Sequence, residues 1–287
     1  MSRPLIVAAA QTGPVASPAD PVMVDTAIAM IDRAAAQGVQ LMVFPEVFLA
    51  PFFPNQLIQD FDRLFLAADD PVLNRIARHA GERDVALVLP FAERAADGWF
   101  NSALIINEQG ERVGCYRKTH IPAYFPNDKP GGTGTYEKFY FGQGNSLDTY
   151  PVCGTRIGVQ ICNDRLYPEG SRVLALKGAE LIAIPVAYAV YANAAQRSSI
   201  WEVPIRARAY ENGLYVLAAN RVGLEGVRQH LGRSMLVDPM GMIQAELGTE
   251  QADLLVQTID LDEVKRARTG LAWWRDRRPS LYQPIVE

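Results

Sequence analysis

The sequence predicts an α/β protein. Short runs rich in Val, Ile, Leu and Ala alternate with segments whose apolar residues recur every three or four positions, the pattern of strands separated by amphipathic helices. Several of the short runs also stop on a proline or a charge, as a chain does when it leaves a sheet. Residues 5–10 read as a strand, 21–37 as a helix with Val24, Ile28, Ile31 and Ala35 on one side, and 41–44 as the next strand, which makes a β-α-β opening. Residues 72–81 form a second amphipathic helix and 85–91 a third strand. Residues 102–116 read as a hairpin turning at 107–110, where Gln109-Gly110 marks the bend.

The second half repeats the alternation. RIGVQI at 156–161 is a strand, and Pro168 with Glu169 suits the first turn of a helix that runs on through 172–179. Strand 181–186, helix 203–212, strand 215–219, a hairpin across 238–241, strand 254–259 and a charged segment at 262–268 follow. The proline- and glycine-rich stretch 123–144 reads as one long loop, and loops of that length in compact domains tend to be functional. With no internal repeat, low-complexity tract or interior linker, the 287 residues are expected to form a single domain.

Composition narrows the function classes. At 49% hydrophobic residues the chain can bury a large core, and a net charge of −4 gives no electrostatic reason to expect nucleic acid or an anionic membrane as partner. The apolar stretch near the N-terminus is only about seven residues, short for a signal peptide and far from the roughly 20 needed to span a bilayer. Three cysteines, an odd number without a CxxC pair, suggest neither a disulfide framework nor a zinc site, so cytoplasm is the expected compartment. Cys115 and Cys153 read as packing residues.

Cys162 differs. It ends an apolar run and stands six residues before a helix start, on a strand-to-helix turn that exposes a side chain and aims free backbone N–H groups at any charge developing beside it. Glu46, closing LMVFPE, and Lys118, in YRKTHIP, share this setting at the end of an apolar run, and ligands bind at strand ends in open α/β sheets. Glutamate, lysine and cysteine recurring in one local context predict a site.

FPE at 44–46, YRKTHIP at 116–122, and ICND followed by PE within 161–169 resemble the three catalytic blocks of the nitrilase, or carbon–nitrogen hydrolase, superfamily. The resemblance spans nearly the whole chain, and RRP at 277–279 with Leu281-Tyr282 is similar to the tail of its N-carbamoyl amino acid hydrolase branch. It implies a four-layer α-β-β-α sandwich, a single carbon–nitrogen hydrolase domain over 1–287, and subunit pairing as a homodimer or higher homo-oligomer. Trp273, Trp274 and 281–286 would serve that pairing or fold back on their own subunit. It also places a second glutamate at Glu137.

The chemistry of amide attack needs these residue types. Cys162 would be the nucleophile, its pKa lowered by the helix start and by Lys118. Glu46 would be the base, Lys118 with the Asn163 backbone N–H would hold the oxyanion, and Glu137 would orient Lys118 or the substrate nitrogen. No metal or organic cofactor is implied, and the partner is a small amide or ureido substrate. His120, two residues after Lys118, is expected to line the pocket or to hold a structural hydrogen bond. His79 and His230 read as surface residues. Arg165 matches the arginine with which the carbamoyl branch holds a substrate carboxylate, but Leu166 stands where that branch has a second one. The histidine before the second glutamate is also absent. Leu166, Ala187, Tyr188 and Tyr191 are further expected pocket residues. A nitrilase proper would share every catalytic residue, and a catalytically silent binding protein on the same fold is the reading from another class.

Overall fold

Two six-stranded sheets carry the fold. The computed structural model describes residues 2–15, 21–122, 135–190 and 194–286. Its strands are β1 (Pro4–Gln11), β2 (Leu41–Val43), β3 (Ala86–Ala95), β4 (Gly98–Ile106), β5 (Arg112–Arg117), β6 (Thr149–Val152), β7 (Thr155–Val159) and β8 (Leu181–Val186). After them come β9 (Ala189–Val190), β10 (Tyr215–Asn220), β11 (Val222–Glu225), β12 (Arg228–Leu231), β13 (Met235–Val237), β14 (Ile243–Glu246) and β15 (Asp253–Asp260). The first sheet runs β15-β1-β2-β3-β4-β5 and the second β14-β13-β10-β8-β7-β6, with a small third sheet β11-β12-β9 beside them. In each large sheet the central strands are parallel and the edges antiparallel.

Helices α1 (Pro21–Ala35) and α2 (Pro71–Gly81) cover the outer face of the first sheet. Between them and the second sheet's cover, the chain forms a one-turn helix, α3 (Glu137–Tyr140). Helices α4 (Pro168–Leu176) and α6 (Glu202–Asn212) cover the second sheet, with the short α5 (Ala194–Ile200) leading into α6.

Strand periodicity sorts the side chains between layers. Val7 and Ala9, Leu41 and Val43, and Leu181 and Ala183 face the space between the sheets. Ala8, Ala10 and Met42 turn toward α1 and α2, while Ile182 and Ile184 turn toward α4 and α6. Strands buried on both faces read as continuous apolar runs, which is why the sequence shows runs there instead of clean alternation. The result is the expected α-β-β-α stack.

Most predicted elements lie where the sequence puts them, with ends that shift for local reasons. The first helix stops at Ala35 because the chain turns at Gly38, whose φ of +73° suits glycine. The helix after Cys162 starts on Pro168 and ends at Leu176, short of residue 179, near Gly178 at φ +92°. The hairpin at 107–110 is built by the Asn107 side chain, which accepts from the Gln109 and Glu111 amides. The β6–β7 and β11–β12 hairpins were not foreseen: their turns, Cys153-Gly154 and Gly226-Val227, lack the Asn-Gly or Asp-Gly signal. Of the long loop at 123–144, residues 123–134 lie outside the described residues, as does Tyr191. Among the described residues no helix is long and apolar enough to cross a membrane.

Candidate active site

The chain brings three sheet exits together. Glu46 lies just past β2, Lys118 directly follows β5, and Cys162 follows β7 on the facing sheet. Glu137 arrives as the first residue of α3. Lys118 Nζ donates to Glu46 Oε1 at 2.8 Å and to Glu137 Oε2 at 2.5 Å, and the side chains of all three are at most 4% exposed. Glu46 Oε1 also accepts from Asn101 Nδ2 at 2.8 Å, and Glu46 Oε2 from the Ala187 amide at 3.0 Å. A buried carboxylate with every oxygen bonded is held in one orientation.

Burial acts first on these groups. It would raise the Glu46 carboxyl, but the Lys118 ammonium and hydrogen bonds from Lys118, Asn101 and Cys162 hold it below the usual carboxylate range. Glu137 is as deeply buried, is near Lys118 and also meets the Glu46 charge, and it is pushed up. Lys118 resists the desolvation of its ammonium because two carboxylates flank it, so its pKa is raised and it stays charged. The two glutamates are therefore shifted in opposite directions around one ammonium.

The expected depression of the Cys162 thiol is not found. Burial and the Glu46 charge push it up to about 12, against the opposing pull of Lys118 and Arg165. The resting thiol is protonated, and a thiolate forms only as a base removes the proton.

Cys162 itself occupies the left-handed region, with φ +49°. For a residue with a Cβ that conformation is strained and needs support from its surroundings. Asp164, fully buried in the same 3-10 turn (Cys162–Leu166), supplies part of it. Its carboxylate accepts from the Ile161 amide at 2.9 Å, Tyr116 Oη at 2.7 Å, Thr119 Oγ1 at 3.0 Å and the His120 amide at 2.8 Å. Arg165 Nη1 donates to the Cys162 carbonyl at 2.5 Å. Thus the turn is fastened both to itself and to the segment carrying Lys118.

A pocket of about 500 Å³ opens over Cys162. Glu137, Asn163, Arg165 and Arg228 contribute polar groups to its wall, and Leu166 and Ala187 apolar surface. Glu46 and Lys118 stand behind this wall without exposed surface. Tyr188 lines the pocket as expected. His120 does not: its ring stacks on Tyr167 with centroids 3.9 Å apart and Nδ1 lies 2.9 Å from Asp164 Oδ1, the structural alternative. Asn163 Nδ2 donates to the His120 carbonyl at 3.0 Å, so its side chain is tied to that segment as well.

Two other histidines depart from expectation. His230 is completely buried, 3.7 Å from Glu225, and His79 is largely covered and 2.9 Å from Asp32. Asp164, Asn101 and Arg221 were missed by sequence reasoning. Nothing local marks them; Asp164 sits inside the quoted ICND block, but its role depends on donors that come from residues 116–120.

The carbon-nitrogen hydrolase family profile matches residues 6–269. The chain belongs to the carbon-nitrogen hydrolase family. N-carbamoylputrescine amidase of Oryza sativa subsp. japonica is 32% identical over 275 residues, covering 92% of this chain and 89% of that protein. Citrullinase of Francisella tularensis is 31% identical over 264 residues, covering 89% and 90%. The crystal structure of a carbon-nitrogen hydrolase from Helicobacter pylori superposes with a TM-score of 0.89 at 27% identity, covering 99% of both chains. This carbon-nitrogen hydrolase is accordingly an amidase-type enzyme, a hydrolase of C–N bonds other than peptide bonds.

Proposed function

We propose that the enzyme cleaves a ureido or simple amide C–N bond through a thioester on Cys162, with release of ammonia. One observation carries the proposal: the Glu46 carboxyl group and the Lys118 amino group, both fully buried, are bonded to each other directly behind the one cysteine that faces the pocket. Glu46 takes the thiol proton as sulfur attacks the carbonyl carbon and gives it to the departing nitrogen, forming the acyl-enzyme and ammonia. It then takes a proton from water, which attacks the thioester, and returns that proton to the departing sulfur, releasing the acid and restoring the thiol; a carbamic acid loses carbon dioxide to leave an amine. Lys118 and the Asn163 amide stabilise the oxyanion, and Glu137 keeps Lys118 charged and in place. Burial and the Glu46 charge push the thiol up, which favours transfer of its proton to Glu46 as sulfur attacks over a thiolate formed beforehand.

Two cationic side chains, Arg165 and Arg228, line the pocket against one carboxylate, Glu137. This favours a ureido or amide compound whose tail carries an acid group, and disfavours a cationic tail such as that of N-carbamoylputrescine. We read residues 1–287 as one domain acting in the cytoplasm as a homodimer or larger assembly. Trp274 lies under Arg172, Arg268 and Arg277 of its own chain and Trp273 packs on Tyr210, which supports the folded-back alternative for the tryptophans. The exposed Leu281, Ile285 and Val286 remain for a subunit contact.

The test is ammonia release from N-carbamoyl-β-alanine, citrulline, N-carbamoylputrescine, propionamide and a nitrile, run beside Cys162→Ala. Turnover of a carbamoyl compound or amide that vanishes in the variant supports the reading. Activity surviving the substitution, or nitrile turnover alone, would sink it.

A further inference from the structure

The turn that carries Glu46 is strained and has a dedicated holder. Val47, next to Glu46, sits at φ +50°, and for a β-branched residue the left-handed region is an outlier that persists only where neighbours over-determine it. Those neighbours converge on one side chain. Arg221, between β10 and β11 and with no exposed surface, donates from Nη2 to the carbonyls of Glu46 at 3.0 Å, Val47 at 2.5 Å and Ala50 at 2.7 Å, and from Nε to Glu46 at 3.2 Å. Its remaining arm, Nη1, meets Glu225 Oε2 at 2.8 Å, which neutralises the buried charge. Glu225 in turn accepts the amides of Val15 at 2.8 Å and Phe52 at 2.6 Å, so the ion pair grips the turn at both its start and its exit.

We infer that Arg221, neutralised by Glu225, is a positioning residue that fixes the backbone of the Glu46 turn and so aims the Glu46 carboxylate at Lys118 and Cys162. The inference rests on Glu46 being the base. A planar guanidinium suits this task because it offers several donors in a rigid fork, whereas an ammonium is a compact charge on a flexible stem that cannot reproduce the geometry.

The experiment compares Arg221→Lys, Arg221→Ala, Glu225→Gln and Glu46→Gln in the full chain, with propionamide and N-carbamoyl-β-alanine as substrates and iodoacetamide alkylation of Cys162 followed by mass spectrometry. Arg221→Lys is expected to keep its fold by circular dichroism, to lose kcat on the order of 10-fold with KM nearly unchanged, and to lose less than Arg221→Ala, since a displacement near 1 Å costs up to about 10²-fold. The acid limb of its kcat/KM profile moves to higher pH, because Glu46 drifts from the ammonium that keeps it ionised. The alkylation rate, which needs no substrate, moves in the direction that Glu46→Gln moves it. Where the alanine variant does not fold, Glu225→Gln carries the same comparison. Wild-type kcat, acid limb and alkylation rate in Arg221→Lys and Glu225→Gln, with only the melting temperature lowered, would overturn the inference. Retained turnover in Glu46→Gln would instead remove Glu46 as base.

Discussion

Lys118 Nζ stands 2.8 Å from Glu46 Oε1, and neither side chain has exposed surface. Glu137 adds a second carboxylate at 2.5 Å, so one ammonium compensates two buried acids. Such a cluster is intolerant of losing one partner more than of being replaced whole, because the survivor is left as an uncompensated buried charge.

Lys118→Met is therefore expected to remove turnover and to destabilise the fold by about 3–5 kcal/mol, the usual consequence of breaking a buried pair. Urea unfolding followed by circular dichroism measures it. A variant as stable as the parent would show that the two carboxyls need no cation.

Asp164 makes a second prediction. Asp164→Ala orphans the donors of Ile161, Tyr116, Thr119 and His120 at once. Each buried donor left without a partner costs about 1–3 kcal/mol, so the alanine variant should be severely destabilised and Asp164→Asn, which keeps the shape and one acceptor, much less so. With the Cys162 turn loosened, Asp164→Asn should also lower kcat on the order of 10-fold. Equal melting temperatures for the two variants would contradict the role given to Asp164.

Arg165 should act on selectivity. Replacing it with leucine is expected to reduce the preference for N-carbamoyl-β-alanine over propionamide by roughly 10-fold, the worth of one charge-assisted contact of about 1.4 kcal/mol. Measuring kcat/KM for both substrates in each protein decides it; an unchanged ratio would place the substrate's acid group elsewhere.

Stability should fall with pH before ordinary carboxylates titrate. Burial holds His230 neutral and lowers its pKa from the usual 6.5 to about 4. The unfolded chain then binds a proton that the folded chain refuses, so His230's contribution is complete above about pH 6.5 and is lost as pH falls from there toward 4. Glu46 and Glu225, both held below the carboxylate range in the fold, contribute stability that is present above their unfolded pKa and is lost only at lower pH. Thermal melts at intervals from pH 7.5 to 4.5 should show the early decline, and His230→Gln should flatten it. A flat profile in the parent would exclude His230 as the source.

The sequence by itself determined the alternation of strands and helices, hence the α/β class, and the residues that carry the chemistry. Apolar runs and helical periodicity are local properties of the chain, and Glu46, Lys118 and Cys162 stand out because each follows such a run. The family resemblance added Glu137 and the pairing of the two sheets. Tertiary structure alone decided what those residues experience. The Cys162 thiol is raised where the turn and the lysine predicted lowering, because burial and a facing carboxylate outweigh both. His120 turned to Asp164, 44 positions away, and not to the pocket, and His230 went inside, outcomes that no local pattern of the chain announces. Arg221 reaches back to carbonyls at 46–50, more than 170 positions away. No periodicity announces a contact of that range: it exists only once the sheets have brought the two segments together, and there the low-dielectric interior makes every charge depend on its partner.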